Sequence, residues 1–196
     1  MSTPTLTDDR RPQLQAAYSQ LARVIHSVSP DELRLPTPCT EWDVAGLVDH
    51  AVFASRRAAA LADGRADTVE SEHLDRDAAV LAVRAAAADA AARWTDANVA
   101  RVTTMPWGVD YRGSQLVDMY LMELVTHTWD LAHAVGRGAM LDDELAEAAF
   151  VAGRPLAPPE YRGDPADGMP FAPEVDADDG RGAYDRLAAF LGRNPA

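Results

Sequence analysis

Four stretches of this chain carry apolar residues at three- and four-residue steps, each bounded by proline, glycine or a capping side chain. That period is the signature of amphipathic helices, and four of them leave few ways to build a core. In the first stretch Leu14, Ala17, Leu21, Val24, Ile25 and Val28 form the stripe, with Pro12 in the first turn, where proline is tolerated. It predicts a helix from about Arg11 to Val28. Pro36 and Pro38 then forbid regular helix over Leu35 to Thr40. Thr40 followed by Glu41 and Asp43 reads as an N-cap with an acidic first turn, starting a second helix from about Glu41 to Asp63 that stops at Gly64.

Arg65 to Glu72 reads as a polar loop. The alanine-dense stretch from about Asp75 to Asn98 predicts a third helix, with Leu74, Leu81 and Trp94 as its larger packing residues. Val99 to Gly113 reads as an extended or turning connection with two short strands weakly signalled around Pro106-Trp107-Gly108. Ser114 is expected to cap a fourth helix that runs to Val135 and stops at Gly136. The fold class predicted is all-α, a four-helix bundle.

After Met140 the chain turns rich in proline, glycine and acids. Short helices are expected over Asp142 to Val151 and Gly182 to Leu191, with a loop-rich segment from Gly153 to Asp179 between them. Residues 1–140 are therefore read as the bundle, and 141–196 as an extension too poor in apolar residues to form its own core. Pro155 to Pro173 is expected to fold over one end of the bundle and partly close any site there.

Charge narrows the function classes. All 18 basic residues are arginine against 31 acids, a net charge of −13, which repels phosphate backbones and anionic lipid; nucleic acid and membrane are not expected as partners. Cys39 is the single cysteine, so an internal disulfide and a multi-cysteine zinc site are excluded. Met1 to Gln13 has no apolar signal-peptide core, and no run approaches the length of a membrane span. A cytoplasmic location is expected. Either a monomer or a homodimer is compatible with the alanine-rich third helix.

At 100° per residue, His127 lies about 40° from Glu123 on the fourth helix and Asp130 about 20° to the other side, so all three share a face. The apolar stripe of that helix centres about 130° from Glu123. His50 lies about 110° from the stripe of the second helix. Both helices thus put imidazole or carboxylate at the edge of their packed faces, where side chains can converge across a groove. A histidine from one helix with a Glu-x-x-x-His pair from another is a sensible three-ligand set for a borderline divalent cation, leaving positions for water or substrate. The same spacing also occurs in ordinary surface pairs. Arg57 lies seven residues beyond His50 at nearly the same angle and could hold a substrate carboxylate, or be a solvated arginine. Asp130 could orient a ligand histidine from behind. Trp129 is expected to pack, and Trp42 to pack or, alternatively, to line the pocket mouth; Cys39 reads as a small buried residue in a shaped loop, with a nucleophile just before a helix N-terminus as the alternative; His26, His73 and His133 are expected to have no role.

Leu35-Pro36-Thr37-Pro38-Cys39-Thr40-Glu41-Trp42-Asp43-Val44, continued by Leu47-Val48-Asp49-His50, resembles the second-helix entry of the DinB-like, mycothiol-dependent maleylpyruvate isomerase-type bundles of actinobacteria. Glu123 to Ala132, with its Glu, its His four on and its Trp129-Asp130-Leu131, is similar to their fourth-helix motif, and Asp185 to Pro195 to the tail of an actinobacterial metal-binding branch. The resemblance runs from about Leu14 to Pro195. It implies a DinB-like four-helix bundle holding a divalent metal, zinc in the best-understood relatives with nickel or iron as alternatives, on His50, Glu123 and His127. It also implies mycothiol as cosubstrate of a transferase or isomerase acting on a small electrophile. The maleylpyruvate isomerase has a further C-terminal domain that the 56 residues after Met140 are too short to supply, so that isomerisation itself is not the expectation. A metal-binding stress or sensor protein without turnover, and a metal-dependent hydrolase, are the competing readings.

Overall fold

The structure is a computed structural model that describes residues 9–65, 69–164, 167–176 and 181–195. Residues 1–8 of the polar leader, and parts of the loops read over Arg65 to Glu72 and Gly153 to Asp179, lie outside the described residues. The first helix, α1 (Arg11–Ser27), starts where the Asp9 carboxylate accepts from the Arg11 backbone N–H at 3.1 Å, and it buries Leu14, Leu21, Val24 and Ile25. α2 (Val44–Leu61) begins later than expected. Thr40 is not its cap; Asp43 is, with a carboxylate that accepts from the Gly46 N–H at 2.9 Å.

The third predicted helix divides. α3 (Arg76–Arg93) ends as Trp94 leaves helical geometry, and Thr95 caps a separate short helix, α4 (Asp96–Ala100). Threonine competes for the backbone through its side chain, so a Thr-Asp pair restarts a helix more readily than it continues one. Leu81, expected to pack, is 65% exposed; the buried face of α3 is made instead of Ala79, Val80, Val83, Ala86 and Ala90. The two strands are real but short: β1 (Val102–Thr104) pairs antiparallel with β2 (Asp110–Arg112) in register Thr103 to Tyr111. α5 (Gly113–Ala134) follows directly, and Ser114 lies inside its first turn; the capping contact comes from Gln115, whose side-chain oxygen accepts from the Arg112 N–H.

α1 packs on α3 and α5, and α2 packs on the same two helices, so α1 and α2 stand at opposite corners of a four-helix bundle. The fold is thus all-α apart from the small hairpin. Tyr18 crosses the core from α1, its hydroxyl donating to the Ser55 carbonyl of α2 at 3.0 Å. Beyond the bundle, α6 (Asp143–Gly153) lies on α5, and α7 (Ala183–Phe190) on α6 and α5. Gln20 of α1 holds both: its amide donates to the Tyr184 hydroxyl, and its oxygen accepts from the Asp142 N–H. Between α6 and α7, Arg162 places its guanidinium 4.2 Å over the Phe190 ring and donates to the Ala157 carbonyl, which binds the irregular segment to the last helix. Among the described residues no helix is long and apolar enough to cross a membrane.

Candidate metal centre

The loop before α2 is fixed by backbone contacts rather than by helix. Val44 donates to the Leu35 carbonyl and Ala45 to that of Leu33, while the Thr37 hydroxyl lies 2.8 Å and 2.9 Å from the carbonyls of Cys39 and Trp42. This frame aims Trp42 back along α2, where its indole stacks on His50 with ring centroids 4.2 Å apart. Gly46 makes that possible, because a Cβ there would stand 3.1 Å from the indole. Of the two readings of Trp42, packing residue or lining of the pocket mouth, the structure has the second, and the indole also supports one candidate ligand.

Across the α2–α5 groove, His50 Nε2 lies 3.0 Å from Glu123 Oε1, and His127 Nε2 lies 3.5 Å from the same oxygen. The donor atoms of His50, Glu123 and His127 are all within 4.8 Å of one another. Ligands held about 2.1 Å from one tetrahedral ion stand about 3.4 Å apart, so small rotamer changes suffice to bring these three onto a single cation. The donor set fits the group: one carboxylate and two imidazoles suit a borderline divalent ion.

Behind the trio stands a buried chain of charge. Asp130, with no exposed side-chain surface, accepts from His127 Nδ1 at 3.0 Å. The carboxylate can only accept, so Nδ1 carries the proton and Nε2 faces the groove, the tautomer a metal ligand needs. Arg193, beyond α7, closes the chain from the far side, its Nε and Nη2 at 3.3 Å and 3.1 Å from the two Asp130 oxygens. It reaches this position because Gly192 adopts φ +82° against the backbone of Ala172 and Pro173, where a Cβ would come within 2.5 Å of Ala172.

Burial of His127 favours its neutral form, but Glu123 and Asp130 outweigh it and push its pKa up to about 9 without a cation bound. Burial likewise opposes ionisation of Glu123. A third of its side chain meets solvent, however, and the two imidazoles decide: they hold the carboxyl well below the usual range. Asp130 is lowered by His127 and Arg193 against its own desolvation. Cys39 goes the other way, pushed up to about 11 chiefly by burial, so it is a thiol at neutral pH. Its sulfur forms a second potential ligand group with His127 and Asp130. There the Arg193 guanidinium already occupies Asp130 and repels a cation, so the His50, Glu123, His127 set is the stronger candidate.

The trio opens into a cavity of about 320 Å³ lined by Cys39, Trp42, Met122, Thr126, Met169 to Ala172 and Leu191 to Arg193. The irregular segment contributes a wall of this cavity through Met169 to Ala172. Arg57 is not among these lining residues; it stands on the same groove further along α2, its guanidinium carbon 5.9 Å from the Phe53 ring centroid. Arg193 and the stacking role of Trp42 were missed by reasoning from sequence. The signal for Arg193 was the buried Asp130 itself, since a carboxylate behind a histidine on a packed helix needs a cation from another element.

The model of the mycothiol maleylpyruvate isomerase N-terminal domain matches residues 14–132, which include all three candidate ligands. The chain belongs to this family. Two uncharacterized proteins of Mycobacterium tuberculosis, from strains CDC 1551 / Oshkosh and ATCC 25618 / H37Rv, are similar to it along most of their length. Each is 34% identical over 181 residues, covering 91% of this chain and 94% of the relative. No solved structure gives a significant match. Membership in the mycothiol maleylpyruvate isomerase family makes this a mycothiol-related, DinB-like helical protein, and the match extends from the first turn of α1 almost to the end of α5.

Proposed function

We propose that the protein binds a divalent metal ion, zinc in the first instance, on His50, Glu123 and His127, and uses it to activate mycothiol for addition to a small electrophile. The single observation that carries the reading is the convergence of those three side chains, with Nδ1 of His127 already engaged by Asp130. A cation bound there supplies the positive charge that favours a thiolate over a thiol near neutral pH. The protein's own side chains do the rest. Asp130 and Arg193 hold His127 in one tautomer and one orientation, and the stacked Trp42 does the same for the His50 ring. Met122, Met169 and Phe171 give the cavity apolar surface that limits water.

The half-buried Cys39 keeps its thiol protonated at neutral pH and leaves the nucleophile to the cosubstrate. In the addition, a sulfur lone pair forms the S–C bond while the π electrons of the electrophile move to its activating group. The proton given up by the thiol returns to carbon. Rotation about the carbon–carbon bond that had been double, followed by loss of that proton and cleavage of the S–C bond, re-forms the double bond as an isomer and releases the thiol; retention gives a transfer product. Neither outcome needs an oxidant or reductant.

The test is metal analysis followed by spectroscopy. Protein purified without chelator is expected to carry one divalent ion per chain, lost in His127→Ala. After cobalt substitution, mycothiol is expected to produce a sulfur-to-cobalt charge-transfer band. Metal without any thiol-dependent band would remove the transferase and isomerase reading, and no metal at all would remove the whole proposal.

A further inference from the structure

α3 carries two apolar faces. One is its core face, Ala79, Val83, Ala86 and Ala90, all buried against α1 and α2. About 180° round the same helix run Leu81, Ala85, Ala88 and Ala92, every one of them exposed. Leu81 leaves 65% of its surface in solvent, the most of any large apolar side chain among the described residues. The steps of four, three and four residues are those of a heptad seam, with Leu81 and Ala88 at d and Ala85 and Ala92 at a. A helix that packed only within its own bundle would carry polar residues on that face.

Opposite charges flank the seam. Arg84 and Asp89 stand about 70° to either side of it, at g and at the following e. Both are exposed, and neither makes an ion pair among the described residues. Arg56 and Arg93 share the depression between α2 and α3 with Asp89, yet they pair with Glu72 and Asp63 instead. When two copies of such a helix lie parallel, a g residue meets the next e residue of the other copy. Arg84 of each copy then faces Asp89 of the other, twice by symmetry. An antiparallel pair brings like flanks together and leaves the two charges on opposite sides of the seam.

We propose that the outer face of α3 is the seam of a symmetric, parallel homodimer, with Leu81 as its apolar anchor and Arg84 facing Asp89 of the second copy. The occupant is another copy of this chain because the charges on the two flanks complement each other. Alanine at three of the four seam positions lets the two axes approach to about 8 Å. The 18-residue helix is about 27 Å long, which places the contact among small, reversible interfaces of less than about 1,200 Å². α3 stands diagonal to α5 in the bundle, so the groove between α2 and α5 lies off the seam, and the dimer does not depend on the metal reading.

Sedimentation equilibrium of the full chain, from micromolar to millimolar concentration, is expected to show a monomer–dimer equilibrium. Leu81→Asp should abolish the dimer while the circular-dichroism melt of the dilute, monomeric protein stays unchanged, because this side chain lies on the surface. Arg84→Glu and Asp89→Arg should each weaken dimerisation about tenfold, since each turns two attractive contacts into repulsive ones. An equimolar mixture of those two variants restores both opposite-charge contacts and should dimerise as tightly as the parent. Direction is read by cross-linking: in a Cys39→Ala background, Ala88→Cys is expected to join to its own copy under mild oxidation with diamide, because equivalent d positions adjoin in a parallel pair. A monomer at every concentration, a dimer indifferent to Leu81→Asp, a mixture no tighter than either variant alone, or no cross-link at position 88 would each overturn the proposal.

Discussion

Replacing Arg193 by methionine probes the buried charge chain where it is most exposed to perturbation. The substitution keeps much of the apolar stem and removes the guanidinium. Asp130 has no exposed side-chain surface, and among the described residues its oxygens are hydrogen-bonded by Arg193 and His127. Breaking a buried pair by deleting one partner typically costs about 3–5 kcal/mol, because the remaining charge is stranded. Here Asp130 keeps the contact with His127, and Arg193 itself is 16% exposed, so water can reach part of the vacated space. Those two facts place the expected loss at or just below the low end of that range, about 2–3 kcal/mol. Urea unfolding of the metal-free protein at neutral pH measures it directly, with Asp130→Asn and the double variant completing a cycle. Coupling of about 2 kcal/mol or more is expected between the two positions. In the same variant the Asp130 carboxylate that orients His127 is no longer anchored from behind, and divalent-metal affinity should fall about 10- to 100-fold. Stability within about 0.5 kcal/mol of the parent, with additive effects in the cycle, would refute the argument that Arg193 answers Asp130.

The raised pKa of His127 gives two opposite pH dependences. The proton it carries without a cation stabilises the folded state, a contribution fully present below the unfolded value of 6.5 and lost as pH rises through about 9. That shift corresponds to about 3 kcal/mol in denaturant unfolding of the metal-free protein. A metal ion has to displace the same proton, so its affinity should rise about tenfold per pH unit from 7 to 9 and then level off, as read by competition with a chromophoric chelator. A flat profile would count against the coupling. Gly192→Ala should destabilise the protein and loosen the metal centre together, since the new methyl meets Ala172 at 2.5 Å and the backbone sits at a positive φ; thermal unfolding and chelator competition check it. Gly46→Ala should displace Trp42 from His50, quenching or shifting tryptophan emission with little loss of overall stability, and weaken metal binding several-fold.

The convergence of the candidate ligands His50, Glu123 and His127 was legible in the sequence because it depends on two local regularities. Glu123 and His127 are fixed relative to each other by one turn of helix, and His50 by its angle from the stripe Val44, Leu47, Val48, Ala51. Only the facing of the two grooves had to be supplied by packing, and α2 and α5 are neighbours. What escaped was set by contacts distant in sequence or by irregular backbone. Arg193 meets Asp130 across 63 residues, through a glycine turn whose geometry no periodicity reports. Trp42 is aimed by the carbonyl contacts of Thr37, and proline-containing loops do not reveal their direction from composition. The break between α3 and α4 shows propensity yielding to a local alternative: alanine carried the helix reading across Trp94, whereas the Thr95 side chain ended it.

The walls around the ligands are encoded long after the ligands themselves. During synthesis, His50, Glu123 and His127 leave the ribosome well before Met169 to Ala172 and Arg193 do, so the groove between α2 and α5 is at first an open, hydrated chelate in which His127 lacks a fully anchored carboxylate behind it. On the proposed reading, a cation bound at that stage would be held more loosely than one bound after Arg193 has docked.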